Sequence, residues 1–275
     1  MAAETVIMRD GARIHAQIHE PAGTAVRAVV QLIHGFGEHS GRYAELAGRF
    51  TANGCVFAVH DQRGHGLTPG KRGVAPRYDS LLDDADQMRD LIEARYPGVP
   101  AVLYGHSMGG NIALNYLLHR SQARHVCAVI GSPWLRLHKP YPGVTRLAAR
   151  LLGKASPALV TTGKLLLELL TRDQEIVKAT AADKLYHTKL SFRLFTEITL
   201  RGESAIAGAD KITLPTLMLR AGQDRVVSPQ AIEELASAAA AVTLLSYPEL
   251  YHELHNELER ETVFNDTMEF IARYL

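Results

Sequence analysis

Ser107 lies between two glycines in Gly105-His106-Ser107-Met108-Gly109. A serine hydroxyl is a weak nucleophile near neutral pH. It needs a base to take its proton and a carboxylate to orient that base. Asp224 and His252 stand downstream of it in that order. Serine, then acid, then histidine is the chain order found where the serine sits in a G-x-S-x-G turn. Ser107 is the expected nucleophile, His252 the general base and then acid, and Asp224 the carboxylate that orients His252. The chemistry would be acyl transfer through a covalent intermediate.

Each role has a competitor. His255, three residues past His252, is the alternative base, but it reads better as a packing or surface residue at the start of the closing helix. Asp61 also ends a strand-like run, but it precedes the serine, and nearby Arg63 offers it a salt bridge. His252-Glu253-Leu254-His255 brings its histidines one residue too close for the H-E-x-x-H zinc motif, so no metal is expected. His34, His60, His65 and His106, each beside glycine or polar loop residues, read as hydrogen-bonded structural histidines.

The tetrahedral intermediate carries an oxyanion that fixed backbone N–H groups must meet. Met108, the residue after the nucleophile, should supply one donor. The other should come from the Gly-rich loop His34-Gly35-Phe36-Gly37, where Phe36 is the expected donor.

These residues need elements to hold them. Ala101 to Tyr104 reads as a strand and Asn111 to His119 as a helix, so the serine falls in a strand–turn–helix. Asp10-Gly11 between two alternating runs marks a hairpin over Thr5 to His19. Val26 to Ile33, Cys55 to His60, His125 to Ile130, Thr216 to Arg220 and Val242 to Tyr247 are the other strands. Helices are expected at Tyr43 to Asn53, Tyr78 to Tyr96 and Pro229 to Ala240, with another closing the chain. Strands alternating with helices predict an α/β fold, a mostly parallel sheet with helices on both faces. In such sheets functional loops leave the carboxyl ends of strands.

The chain has 275 residues, long enough for one large α/β domain with an insertion. Thirty Lys and Arg against 29 Asp and Glu leave a net charge of +1, which argues against nucleic-acid binding. The two cysteines, Cys55 and Cys127, sit in apolar runs and read as buried free thiols. No secretory signal or membrane-spanning run is seen, so the expected place is the cytoplasm.

The loops His34-Gly35-Phe36-Gly37-Glu38-His39-Ser40-Gly41-Arg42-Tyr43, Asp61-Gln62-Arg63-Gly64-His65-Gly66 and Gly105-His106-Ser107-Met108-Gly109-Gly110 resemble those of the α/β-hydrolase superfamily. More narrowly they resemble its monoacylglycerol lipase and lysophospholipase branch, also described as serine aminopeptidase-like. The ending Tyr251-His252-Glu253-Leu254-His255-Asn256-Glu257 is similar too. The resemblance implies an eight-stranded sheet and the roles already given to Ser107, Asp224, His252, Phe36 and Met108. It implies no cofactor. Many relatives carry a small residue where Phe36 stands, which would narrow the pocket here.

The resemblance also implies a helical cap, expected at residues 134–211, over a core of 1–133 and 212–275. Val144, Leu147, Ala148, Leu151 and Leu152 share one helical face, with Arg146 and Arg150 off it. From Trp134 to Arg172 there are seven Lys or Arg and one acid, Glu168. Such a segment suits peripheral contact with a lipid surface, or its leucines pack on the core. The expected reaction is hydrolysis of a single-chain acyl ester, foremost a monoacylglycerol, to fatty acid and glycerol. A lysophospholipid or general carboxylic ester is the alternative, with Arg136, Lys139 or Arg146 as possible phosphate partners. A hydrolase fold that binds without turnover is the reading from another class, and the intact triad argues against it.

Overall fold

The computed structural model describes residues 2–23, 25–120, 124–163 and 165–275. The chain opens with the expected hairpin, β1 (Ala2–Ile7) antiparallel to β2 (Arg13–His19). Gly11 turns it at φ +82°, a left-handed conformation that glycine takes without a Cβ penalty. Then follow β3 (Ala28–Ile33), α1 (Ala44–Ala52), β4 (Cys55–His60) and α2 (Tyr78–Arg95). The centre holds β5 (Ala101–His106), α3 (Met108–His119) and β6 (Cys127–Gly131). Helix α3 starts directly after Ser107, earlier than the sequence suggests, and takes in Gly109 and Gly110.

Between β6 and the next strand of the sheet lie α4 (Gly143–Ala155), β7 (Val160–Thr162), α5 (Gln174–Ala182), β8 (Lys189–Ser191) and α6 (Phe192–Ala207). The chain closes with β9 (Thr216–Ala221), α7 (Pro229–Ala238), β10 (Val242–Tyr247) and α8 (Arg260–Ala272). The large sheet runs β1-β2-β4-β3-β5-β6-β9-β10. β3, β4, β5, β6, β9 and β10 are mutually parallel, and the hairpin joins antiparallel at β4.

Alternate residues of the central strands feed opposite faces, as a period of two requires. Leu103, Ala128, Ile130 and Met218 pack with residues of α2, α3 and α7. Val102, Tyr104, Val129, Leu217 and Leu219 pack with Tyr43, Phe50, Phe264 and Ile271 on the α1 and α8 side. Both cysteines are buried free thiols, and burial pushes Cys127 up to about 12. After β3 the chain moves to β4 on one side, then returns to β5 on the other. The carboxyl ends of β3 and β5 are therefore a switch point, where a doubly wound sheet opens a crevice.

Two local expectations are corrected, and one of two open alternatives falls. The stretch expected as a helical cap is not wholly helical: β7 and β8 pair antiparallel. Arg63 does not pair with Asp61; its guanidinium bridges Asp10 in the hairpin turn and Asp84 on α2. Asp61 instead accepts from the backbone N–H groups of Ser40 and Leu67. Finally, the apolar stripe of α4 does not pack on the core. Val144 and Leu151 are 76% and 58% exposed, and only Ala149 and Gly153 of α4 are buried.

Candidate active site

Ser107 stands between β5 and α3 with φ 53° and ψ −115°, a sparsely populated conformation for a residue with a Cβ. Backbone bonds hold it there: its N–H donates to Gly131 O at 3.0 Å, and its carbonyl accepts from Trp134 N at 2.9 Å. A Cβ at Gly109 would meet the Ile33 carbonyl oxygen at 2.0 Å. The second glycine therefore lets α3 start hard against the end of β3, beside the loop that carries Phe36.

β9 and β10 end next to each other and deliver the acid and the histidine. His252 Nε2 lies 2.9 Å from Ser107 Oγ, and its Nδ1 lies 2.7 Å from Asp224 Oδ2. The other Asp224 oxygen accepts from the Val226 and Val227 amides, which fixes the carboxylate plane. All three side chains are buried. Burial pulls the His252 pKa down, but the Asp224 carboxylate, with Glu253 and Glu38 beyond it, outweighs burial and leaves it above the ordinary histidine value. The arrangement can remove the serine proton and hold the resulting imidazolium.

Phe36 borders the space above Ser107, and Met108 directly follows the serine. The Met108 amide is the first of α3 and has no intrahelical acceptor. The Phe36 amide makes no hydrogen bond within the described residues. The Phe36 ring meets Trp134, His65 and His187 edge-on at 6.1–6.2 Å. His187 N donates to Gly37 O, so the loop is pinned from the insertion side.

Under this loop lies a buried charge cluster whose role sequence reasoning missed. Glu38 accepts from the Gly35 amide at 2.7 Å and from the Tyr43 hydroxyl at 2.6 Å. Arg42 donates to both oxygens of Glu253 at 3.0 Å and to Thr180 of α5 at 2.5 Å, while its Nε is 3.7 Å from Glu38. One guanidinium faces two carboxylates. Burial and the negative Glu253 push Glu38 up to about 7. Burial opposes ionisation of Glu253 too, but Arg42 dominates and holds it at about 2. Glu38 thus keeps a proton when Glu253 has lost its own. A charged pair in a Gly-rich loop without other polar work was the sequence signal available.

Glu38, Glu253 and His255 also come close enough to suggest a metal site. Their oxygens already serve Arg42, Tyr43 and Gly35, and a cation would compete with the guanidinium. His255 stacks on Tyr43 at 5.0 Å and does not reach Ser107, so it is a packing residue. His34, His60, His65 and His106 are buried, and burial lowers each pKa, His34 and His60 to about 4. They are neutral spacers: His34 Nε2, for example, accepts from Gln62 N at 2.9 Å.

Above Ser107 opens a cavity of about 470 Å³. Phe36, Trp134, Phe195 and Tyr141 form one wall in ring-to-ring contact, and Leu165, Leu166, Leu169, Leu170 and Leu190 form much of the rest. The space is apolar and large enough for an acyl chain, with Ser107, His252, Glu38 and Glu253 at its floor.

A strand–turn–helix serine at the switch point of a mostly parallel eight-stranded sheet defines an α/β-hydrolase. A family model described as serine aminopeptidase, S33, matches residues 24–259, and the chain belongs to that family. A monoacylglycerol lipase of Mycolicibacterium smegmatis is 32% identical over 96% of this chain and 95% of its own length. A phospholipase of Bacillus subtilis is 30% identical over 90% of this chain and 96% of its own. A longer abhydrolase domain-containing protein of Dictyostelium discoideum is 32% identical, and the match spans only 26% of it. Among solved structures, a soluble variant of the Saccharomyces cerevisiae monoglyceride lipase, in complex with a substrate analog, superposes with a TM-score of 0.87. It is 27% identical, over 99% of this chain and 94% of that one.

Proposed function

We propose that the protein is a carboxylic ester hydrolase that cleaves monoacylglycerols to fatty acid and glycerol, with residues 134–211 as a cap over the site. The observation that carries this reading is the hydrogen-bonded line from Asp224 through His252 to Ser107 at the floor of an apolar cavity. Ser107 Oγ attacks the acyl carbon while His252 takes its proton. The amides of Phe36 and Met108 meet the oxyanion. His252 returns the proton to the departing glycerol oxygen, and water, activated by the same histidine, releases the acid. The likeness to monoacylglycerol lipases supports the substrate. The test is glycerol release from a medium-chain monoacylglycerol; a folded protein that leaves it intact would refute the reading.

His252 must be neutral to act as a base. Its raised pKa therefore puts the acid limb of kcat/KM above the ordinary histidine value of 6.5. Below that limb the rate falls about tenfold per pH unit. A pH profile with the limb below 6.5 would contradict the assignment of Asp224 as its partner.

No helix of the described residues is long and apolar enough to cross a membrane. Contact with lipid is proposed through α4 instead. Val144, Leu147, Leu151 and Leu152 are exposed there together, with Arg146 and Arg150 beside them. Burying one leucine in lipid is worth about 2 kcal/mol. Leu147→Asp is expected to weaken binding to anionic vesicles about tenfold or more. Sedimentation with vesicles checks this; unchanged binding would remove α4 from the contact.

A further inference from the structure

Helix α3 carries a buried polar side chain that the chemistry at Ser107 does not itself use. Asn111, one turn past the serine, is fully buried. Its Nδ2 donates to the Trp134 carbonyl at 2.7 Å and to the Ile198 carbonyl of α6 at 3.2 Å. Its Oδ1 accepts from the Tyr78 hydroxyl of α2 at 2.6 Å. Both carbonyls can only accept, so the nitrogen must face them and both of its N–H groups are used.

Trp134 is thereby held at both of its backbone polar groups. Its N–H donates to the Ser107 carbonyl at 2.9 Å, one of the bonds that keep the serine in its strained conformation, and its own carbonyl receives Asn111. The chain on either side of Trp134 runs in a tight slot between two helices. A Cβ at Gly110 of α3 would meet Pro133 Cα at 3.0 Å, and one at Gly202 of α6 would meet the Leu135 oxygen at 2.1 Å. Asn111 ties across that slot, from α3 through Trp134 to α6. The Trp134 ring stands on the cavity wall, 6.1 Å from the Phe36 ring and 6.3 Å from that of Phe195. A displacement of Trp134 would therefore reach both the serine turn and the loop whose Phe36 amide is assigned to the oxyanion.

We infer that Asn111 is a positioning residue for ester hydrolysis: by fixing Trp134 it holds the Ser107 turn and the Phe36 loop at the spacing the reaction needs, and so sets kcat rather than KM. The inference rests on Ser107 as nucleophile. A misplacement of about 1 Å at the reacting atoms costs about a hundredfold in rate. Binding of the acyl chain depends instead on apolar area, much of it from Leu165, Leu166, Leu169 and Leu170, which lie on another stretch of the chain.

Two variants isolate the tie. Tyr78→Phe removes one partner of Asn111 and leaves its bonds to Trp134 and Ile198 in place. Adding Asn111→Leu then removes the tie without stranding the Tyr78 hydroxyl. A p-nitrophenyl phosphonate gives the number of competent sites, because each Ser107 it phosphonylates releases one nitrophenolate. Monoacylglycerol turnover per competent site should be unchanged in Tyr78→Phe. In the double variant it should fall about tenfold or more, with KM moving less than about threefold. A residue that only supports the fold would lower the number of sites and the melting temperature, not the turnover at each site. Trp134 is the one tryptophan of the chain, so its emission reports on the wall directly. In the double variant it should shift to the red and become more open to acrylamide, and in Tyr78→Phe it should not. Asn111→Ala, read in the same way, replaces the double variant if that protein does not fold. Unchanged turnover per site, or unchanged emission, once the tie is gone would overturn the role. A native protein that releases no nitrophenolate would instead refute Ser107 as the nucleophile, and the inference with it.

Discussion

Replacing Ser107 with alanine is expected to lower monoacylglycerol hydrolysis by about six orders of magnitude. Triad members act as a unit, so losing the nucleophile removes nearly all that the three supply together. What remains comes from the Phe36 and Met108 amides and from the cavity. Asp224→Asn should cost about 10⁴-fold, because His252 loses the carboxylate that fixes its tautomer and steadies its charge. Neither change empties a large volume, so thermal unfolding should move little. Hydrolysis that survives Ser107→Ala would place the chemistry elsewhere.

The second large effect is on stability. Arg42 is buried, and its guanidinium faces both Glu253 and Glu38. Arg42→Met should destabilise the fold by about 3–5 kcal/mol, because it leaves an uncompensated carboxylate in the interior. Lysine should not restore it, since a point charge cannot reproduce the two bonds to Glu253 and the third to Thr180. Urea unfolding measures both. A loss under about 1 kcal/mol would mean that water enters the cluster and screens it.

The same cluster gives a pH dependence whose sign follows from its two shifts. Glu38 is raised from 4.5 to about 7, so its contribution is fully present below 4.5 and is lost as pH rises through about 7. Glu253 is lowered to about 2, so its contribution is present above 4.5 and is lost as pH falls toward 2. Glu38→Gln keeps a neutral side chain that accepts from Gly35 and Tyr43 and donates toward Glu253. Its melting temperature relative to the native protein should therefore rise between about pH 4.5 and 7. Parallel melting curves over that range would contradict a protonated Glu38.

Much of this was legible in the sequence, for physical reasons. A serine between glycines after an apolar run can hardly be anything but a tight strand-to-helix turn, and Gly109 meets Ile33 as that turn requires. Asp224 and His252 follow the neighbouring strands β9 and β10, and strand ends in a parallel sheet converge. The insertion was harder to read. β7 and β8 are three residues each, too short for a period of two to register. The stripe on α4 was visible, but its exposure was not, because periodicity marks an apolar face without saying what covers it. Arg63 found Asp10 and Asp84, not its neighbour Asp61, because hairpin and α2 meet at that loop only in three dimensions. Glu38 and Glu253 are likewise far apart in the chain, and only folding sets them around one arginine.

The most direct test of the account is to quench a monoacylglycerol reaction with acid and weigh the peptides. The account predicts one acyl mass, on the peptide carrying Ser107, with fatty acid and glycerol released in equal amounts. Release of fatty acid with no acyl group at Ser107 under rapid quench, or an acyl group on another side chain, would contradict it.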